Sequence, residues 1–166
     1  LYSSAASDVY KRQVTGIRGL IRHRTIQAIG ETAHAGAVDF PYRKDAALAC
    51  ARFSSRLYDF WQHELSLGRD LVATTGVIRT SPSASMNKIA GECIVSLDAR
   101  SLSAAELNLF EKKVEAILQE TAEETGVIFK TDPLMRIAPV EADEGVMKKL
   151  ETSADILKIG TQRMPS

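Results

Sequence analysis

The sequence predicts an α+β fold, with helices laid on one face of an antiparallel sheet. Three observations carry that expectation. Two long segments, 46–61 and 107–121, place apolar residues three and four apart, the spacing that gathers them on one side of a helix. Residues 89–100 instead alternate apolar with polar, the period of a strand with one buried face. The segments also follow one another as strand, helix, strand, strand, helix, strand, and two helices covering one sheet face is the compact solution for that order.

Composition narrows the function classes. The chain has 166 residues, 45% of them hydrophobic, enough for a real core. Its 21 Lys and Arg balance 21 Asp and Glu, which leaves no net field for nucleic acid or an anionic membrane. No apolar run is long enough to cross a bilayer. Cys50 and Cys93 are far apart and match no zinc-ligand spacing. A reduced pair in a cytoplasmic protein is the expectation. Leu1–Gln13 has neither the apolar centre nor the basic start of a signal peptide. It resembles a translated adapter sequence, so residues 1–13 are set aside from the fold, and with no initiating Met the chain is expected to be a fragment.

Taken in order, Val14–Gly19 has two glycines three apart around Ile17, suggesting a bend or hinge. Ile21–Ile29 is expected to be an edge or half-exposed strand, from its β-branched residues and its polar Arg22, His23 and Arg24. It leads into Gly30-Glu31-Thr32-Ala33-His34-Ala35-Gly36. Small neighbours leave the His34 ring uncovered, and Gly36 is expected to adopt a backbone conformation closed to larger residues. Asp39 and Pro41 suit a helix start. The stripe Ala46, Ala49, Cys50, Phe53, Leu57, Phe60, Trp61 follows, and Gly68 ends it. Leu71–Thr80 reads as a strand and Ser81–Asn87 as a polar turn. Along 89–100, Cys93, Val95 and Leu97 share the buried face, while Asp98 and Arg100 share the other. Ser103 and Glu106 form a capping box, Leu107 to Thr121 the buried stripe, Gly126 the stop, and Val127–Thr131 a last strand. The result is a ferredoxin-like βαββαβ sandwich with a four-stranded antiparallel sheet. After Pro133, a connector at Met135–Pro139, a helix around Val146–Ala154 and an apolar segment at Ile156–Ile159 have no partner in that unit. They are expected to be the truncated start of a catalytic α/β domain.

His23, His34 and His63 fall on different elements, and no metal-ligand pair, nucleophile elbow or phosphate loop is present. Alone, the chain is not expected to catalyse a reaction. Three polar residues at strand ends or bends are candidates for a site. His34 offers an N–H donor, Asn87 an amide, and Arg100 a planar fork matched to a carboxylate. The plainer readings stand beside these: Asn87 as a turn residue, and Arg100 as a surface partner of Asp98 or Glu92.

Four blocks carry a resemblance: Gly30–Gly36, Arg43-Lys44-Asp45-Ala46, Pro82–Gly91 and Val95-Ser96-Leu97-Asp98-Ala99-Arg100-Ser101. In that order and spacing they resemble the lid, or dimerisation, domain of zinc-dependent aminoacylase and carboxypeptidase-type hydrolases. The resemblance is nearest to N-carbamoyl-L-amino-acid hydrolases, allantoate amidohydrolases and ureidopropionases. It departs at Ala33, at Ala37–Phe40 and at Ala90, which stands where that family often has proline. The resemblance implies residues 14–22 as hinge and incoming strand, 23–134 as lid, and 135–166 as a truncated return to the catalytic domain. It implies two zinc or manganese ions bound outside this chain, with no metal ligand within it, and a homodimer formed through the lid. It also implies a small carboxylate-bearing substrate, whose oxyanion His34 steadies and which Asn87 and Arg100 hold. A metallopeptidase or aminoacylase lid, and a stand-alone ferredoxin-like binding or dimerisation module, are the alternatives.

Overall fold

The computed structural model describes residues 11–166. In chain order these form β1 (Lys11–Val14), β2 (Gly16–Ile17), β3 (Gly19–Ile29), β4 (Ala33–His34), a 3-10 turn at Phe40–Tyr42 and α1 (Ala46–Ser66). There follow β5 (Val72–Thr74), β6 (Ile78–Thr80), β7 (Lys88–Ile89), β8 (Glu92–Ser101) and α2 (Ala104–Thr125). The chain closes with β9 (Ile128–Thr131), β10 (Met135–Ile137), β11 (Val140–Glu141), α3 (Glu144–Ile156) and β12 (Thr161–Met164). The boundary expected after Gln13 therefore falls inside a strand, while residues 1–10 of the adapter-like segment lie outside the described residues.

The main sheet is built on two long antiparallel neighbours. β3 pairs β8 from Gly19 opposite Ser101 to Ile29 opposite Glu92. β9 and β10 lie along the other side of β3, and β5 and β6 along the other side of β8, all antiparallel. The α+β expectation holds at this level. β3, however, is central rather than an edge strand. Its polar residues misled because they are paired across the sheet: Arg22 Nε donates to Asp98 Oδ2 at 2.7 Å from the directly opposing position.

β3 also solves a phase problem. Ile21 and Ile26 both belong to the core, yet five residues apart they would fall on opposite faces of a regular strand. The register shifts between His23 and Ile26, and this bulge restores the face. Asp132 closes it: its carboxylate accepts the Arg24 N–H at 3.1 Å and the Thr25 N–H at 3.2 Å, donors that the broken ladder would leave unpaired.

Both helices lie on the face carrying Ile21, Ile26, Ala28, Cys93, Val95, Leu97 and Ala99, and add Phe53 and Leu57 from α1 and Leu107, Phe110 and Ile117 from α2. The alternation foreseen for β8 is observed residue by residue. The start of α1 differs from expectation. Asp39 makes no side-chain cap and leads only into the 3-10 turn. The helix begins after Asp45, whose Oδ1 accepts the N–H groups of Ala47 at 3.0 Å and Leu48 at 3.2 Å. The delay has a cause: the Glu31 N–H donates to the Lys44 carbonyl, and the Ala46 N–H to the Ala90 carbonyl, so residues 44–46 cross between neighbouring strands first. At α2, Ser103 Oγ accepts the Glu106 N–H. The returning half of the capping box runs through the buried Ser101, whose hydroxyl accepts the Ser103 N–H and donates to Glu106 Oε2. Gly68 and Gly126, at φ +77° and +68°, follow the two helix ends as expected.

Leu71–Thr80 is not one strand. It breaks between β5 and β6, where Ser96 binds Val77 through both its hydroxyl and its N–H. Val14–Gly19 is not a plain bend either, since β2 pairs β11 antiparallel and β1 pairs β12 in parallel. The connector at Met135–Pro139 contains β10, a strand of the main sheet. The final apolar segment shifts: Ile156 ends α3, and the strand lies at Thr161–Met164. Only Met147 of α3 is buried, with Val146, Leu150 and Ile156 exposed.

Three carboxylates tie these parts together and give a pH signature. The Arg18 guanidinium, against the opposing effect of burial and with help from the Leu102 N–H, holds the Asp70 carboxyl below its ordinary value near 3.8. Burial pushes Asp98 up, but Arg100 and Arg22 together outweigh it; burial likewise pushes Asp132 up, and the Thr25 and Arg24 N–H groups and His23 outweigh it. A depressed folded pKa stabilises above the unfolded value, and that stability is lost as pH falls through the folded value. Thermal midpoints of the chain should be flat above about pH 5 and fall below about pH 4. Asp70→Asn should lower the plateau and flatten the acid slope; an unchanged slope would remove Asp70 from this role.

Candidate functional site

A small two-stranded ladder brings the backbones at His34 and Asn87 near each other. β4 pairs β7 with His34 opposite Lys88, and the Ala35 N–H donates to the Asn87 carbonyl at 2.9 Å. Two glycines permit the crossing that brings these segments together. A Cβ on Gly30 would sit 2.0 Å from the Lys44 carbonyl oxygen, and one on Gly91 would sit 2.2 Å from Thr32 Oγ1. Without side chains there, the Gly30 N–H reaches the Gly91 carbonyl at 2.9 Å.

The His34 ring is exposed. Its Nδ1 accepts the Gly36 N–H at 3.1 Å. In the neutral ring an accepting Nδ1 places the proton on Nε2, so the loop sets His34 up as an Nε2–H donor. Gly36 does this without the special conformation expected of it, because its φ is not positive. A Cβ at Gly36 would lie 3.4 Å from ring atoms Cε1 and Nδ1, in ordinary contact with that edge of the ring.

Asn87 is exposed, and its Oδ1 accepts from Ser85 Oγ at 2.6 Å, leaving its NH2 group as the outward donor. Arg100 lies elsewhere. It is near the far end of β8, eight residues beyond Glu92, a span of about 26 Å at the usual strand rise. One copy of the fold brings His34 and Asn87 together but holds Arg100 apart from them. The Arg100 Nε donates to Asp98 Oδ1 at 2.7 Å, and Asp98 raises the Arg100 pKa further. With Nε engaged, the two terminal nitrogens remain to receive a planar anion.

Two residues of this region escaped the sequence reading. Arg22 shares Asp98 with Arg100, so the open sheet face carries two guanidinium groups around one carboxylate. The alternation along β3 was the signal that could have placed Arg22 there. Arg43 is half-buried, with Nε donating to the Val38 carbonyl at 2.8 Å and Nη2 to the Ala35 carbonyl. Its targets are backbone oxygens, which leave no trace in residue type.

A cavity of about 810 Å³ lies between α2 and the β9 edge, lined by Leu97, Val114, Phe129 and Leu134 with His23 and Asp132. Another, of about 610 Å³, lies beside Tyr42, Arg43 and Arg52. Neither is lined by His34, Asn87 or Arg100. Among the described residues no three His, Cys, Asp or Glu side chains converge on a metal position, and none of the described helices is long and apolar enough to cross a membrane.

No family model matches the chain. It is 30% identical over 143 residues to ureidoglycolate hydrolase of Arabidopsis thaliana, covering 82% of the chain and 28% of that protein. It is 26% identical over 145 residues to allantoate amidohydrolase of Escherichia coli, covering 87% of the chain and 34% of that protein. A solved hydantoinase/carbamoylase family amidase from Burkholderia ambifaria superposes with a TM-score of 0.80 at 26% identity, over 92% of the chain and 36% of that structure. The chain thus spans about a third of the length of the proteins it matches. It is a homologue of one part of the amidohydrolases that include ureidoglycolate hydrolase, allantoate amidohydrolase and the hydantoinase/carbamoylase amidases.

Proposed function

We propose that the chain is the lid of an amidohydrolase that cleaves carbon–nitrogen bonds of ureido or N-carbamoyl carboxylates. The observation that carries this reading is the His34 ring, held by Gly36 as an Nε2–H donor beside Asn87. A donor fixed before the reaction stabilises negative charge growing on a carbonyl oxygen without reorganising when that charge develops. Ureidoglycolate and allantoate, for which the relatives are named, each combine such a carbonyl with a carboxylate. In this reading His34 meets the oxyanion, the Asn87 amide helps to hold the substrate, and the terminal nitrogens of Arg100 take the carboxylate.

The span along β8 also favours a homodimer. A small substrate cannot touch His34 and Arg100 of the same copy. It can bridge the hairpin of one copy and the arginine of its partner. The strand order β9–β3–β8–β5 with both helices on one face supports reading the lid as ferredoxin-like, and the reduced, buried Cys50 and Cys93 suit a cytoplasmic enzyme. The two zinc or manganese ions implied by the family find no ligand set of three His, Cys, Asp or Glu side chains among the described residues.

The test is substrate preference of the full-length enzyme. Ammonia release from ureidoglycolate, allantoate or an N-carbamoyl amino acid is expected; turnover of dipeptides alone would establish a peptidase instead. In the same assay Arg100→Lys should raise KM for carboxylate substrates about tenfold, equivalent to about 1.4 kcal/mol, with kcat little changed. An unaltered KM would remove the carboxylate role.

A further inference from the structure

We propose that Arg43 is a positioning residue that fixes the His34 tautomer through a single peptide group. The inference rests on the reading of His34 as an oxyanion donor. The Arg43 Nη2 donates to the Ala35 carbonyl oxygen. That carbonyl belongs to the same peptide unit as the Gly36 N–H, which donates to His34 Nδ1 at 3.1 Å. One planar amide is thus pinned at its oxygen by a cation and spends its N–H on the imidazole. A peptide plane cannot rotate one end without the other, so the guanidinium sets the direction in which the N–H points. Binding a cation at the oxygen also polarises the amide and strengthens its N–H as a donor, the usual cooperativity of chained hydrogen bonds.

The second arm gives the device rigidity. The Arg43 Nε donates to the Val38 carbonyl at 2.8 Å, so one planar fork spans both ends of the turn that follows His34. The Ala37 N–H donates back to the His34 carbonyl at 2.9 Å, which closes the turn. The arginine is itself fixed from behind: its backbone N–H donates to the Phe40 carbonyl, and the neighbouring Lys44 carbonyl accepts the Glu31 N–H. Lysine offers one charged point where arginine offers a fork, so Arg43→Lys can serve one carbonyl well and not both.

The experiment reads the hydrogen bond itself, by NMR on the chain as it stands. Native protein should show scalar coupling between the Gly36 nitrogen and His34 Nδ1, and a Gly36 amide protected from exchange. Arg43→Gln should abolish the coupling and speed Gly36 amide exchange at least tenfold, with the amides of α1 and β8 unchanged. Arg43→Lys should fall between. Lys44→Gln, which removes the adjacent Glu31 ion pair in the same loop, should leave the coupling intact. Persistence of the coupling in Arg43→Gln, or its equal loss in Lys44→Gln, would overturn the proposal. In the full-length enzyme Arg43→Gln should lower kcat about tenfold at unchanged KM, and Arg43→Lys should recover part of it. A native kcat on losing His34 would defeat the oxyanion reading alone, leaving the NMR result in place.

Discussion

His34→Ala in the full-length enzyme should lower kcat by about 10²–10³, the loss found when one preorganised oxyanion donor is removed. KM should move little, because the donor acts on charge that exists only in the transition state. The fold should not suffer. His34 is exposed, and among the described residues its side chain makes only the local bond to the Gly36 N–H, so the stability change should stay within about 0.5 kcal/mol. His34→Gln offers an amide N–H from a longer, unbraced side chain, and should recover only a small part of the rate. The discriminating result is kinetic: near-native kcat in His34→Ala, with a correctly folded protein, would mean that the ring touches no reacting atom.

The elements that sequence disclosed well are those in which one face is buried over many residues. The alternation in β8 and the three-and-four spacing in the helices are written into residue type, because burial selects side chains. Geometry carried by the backbone was not legible. The bulge in β3 can be inferred only from the five-residue gap between Ile21 and Ile26, and its closure depends on Asp132, more than a hundred residues away. Asp39 and Asp45 are both good caps by type; the choice between them was made by the strand crossing at Lys44 and Ala46, which no local pattern encodes.

The site divides along the same line. That the His34 ring is exposed could be read from its small neighbours, and Asn87 could be read as a turn residue; the backbone joins their segments beside β4 and β7 through the Ala35 N–H and the Asn87 carbonyl. That they stand far from Arg100 follows from the length of β8 and the antiparallel order of the sheet, both of which the sequence implied but did not compel. Arg43 was visible only as part of a block of residues. Its partners are carbonyl oxygens, and every residue has one.

The largest stability effect should come from Phe53, which joins α1 to the sheet. Its side chain is fully buried, and its ring lies 6.3 Å from that of Phe129, tilted by 48°. Phe53→Ala removes the apolar transfer energy, leaves a cavity between helix and sheet, and loses an aromatic contact. Together these should cost about 3–5 kcal/mol, a large share of the about 5–15 kcal/mol that holds a domain of this size. Urea unfolding should show a lower midpoint with an unchanged slope, the sign of lost stability without a change in the surface exposed. Phe40→Ala is the contrast. The same chemical change at a side chain left 67% exposed should cost less than about 0.5 kcal/mol. If Phe53→Ala costs no more than Phe40→Ala, the helix is not held to the sheet as described. The hairpin bearing His34 would then lose its scaffold too, since α1 follows directly from the crossing at residues 44–46 that holds that hairpin in place.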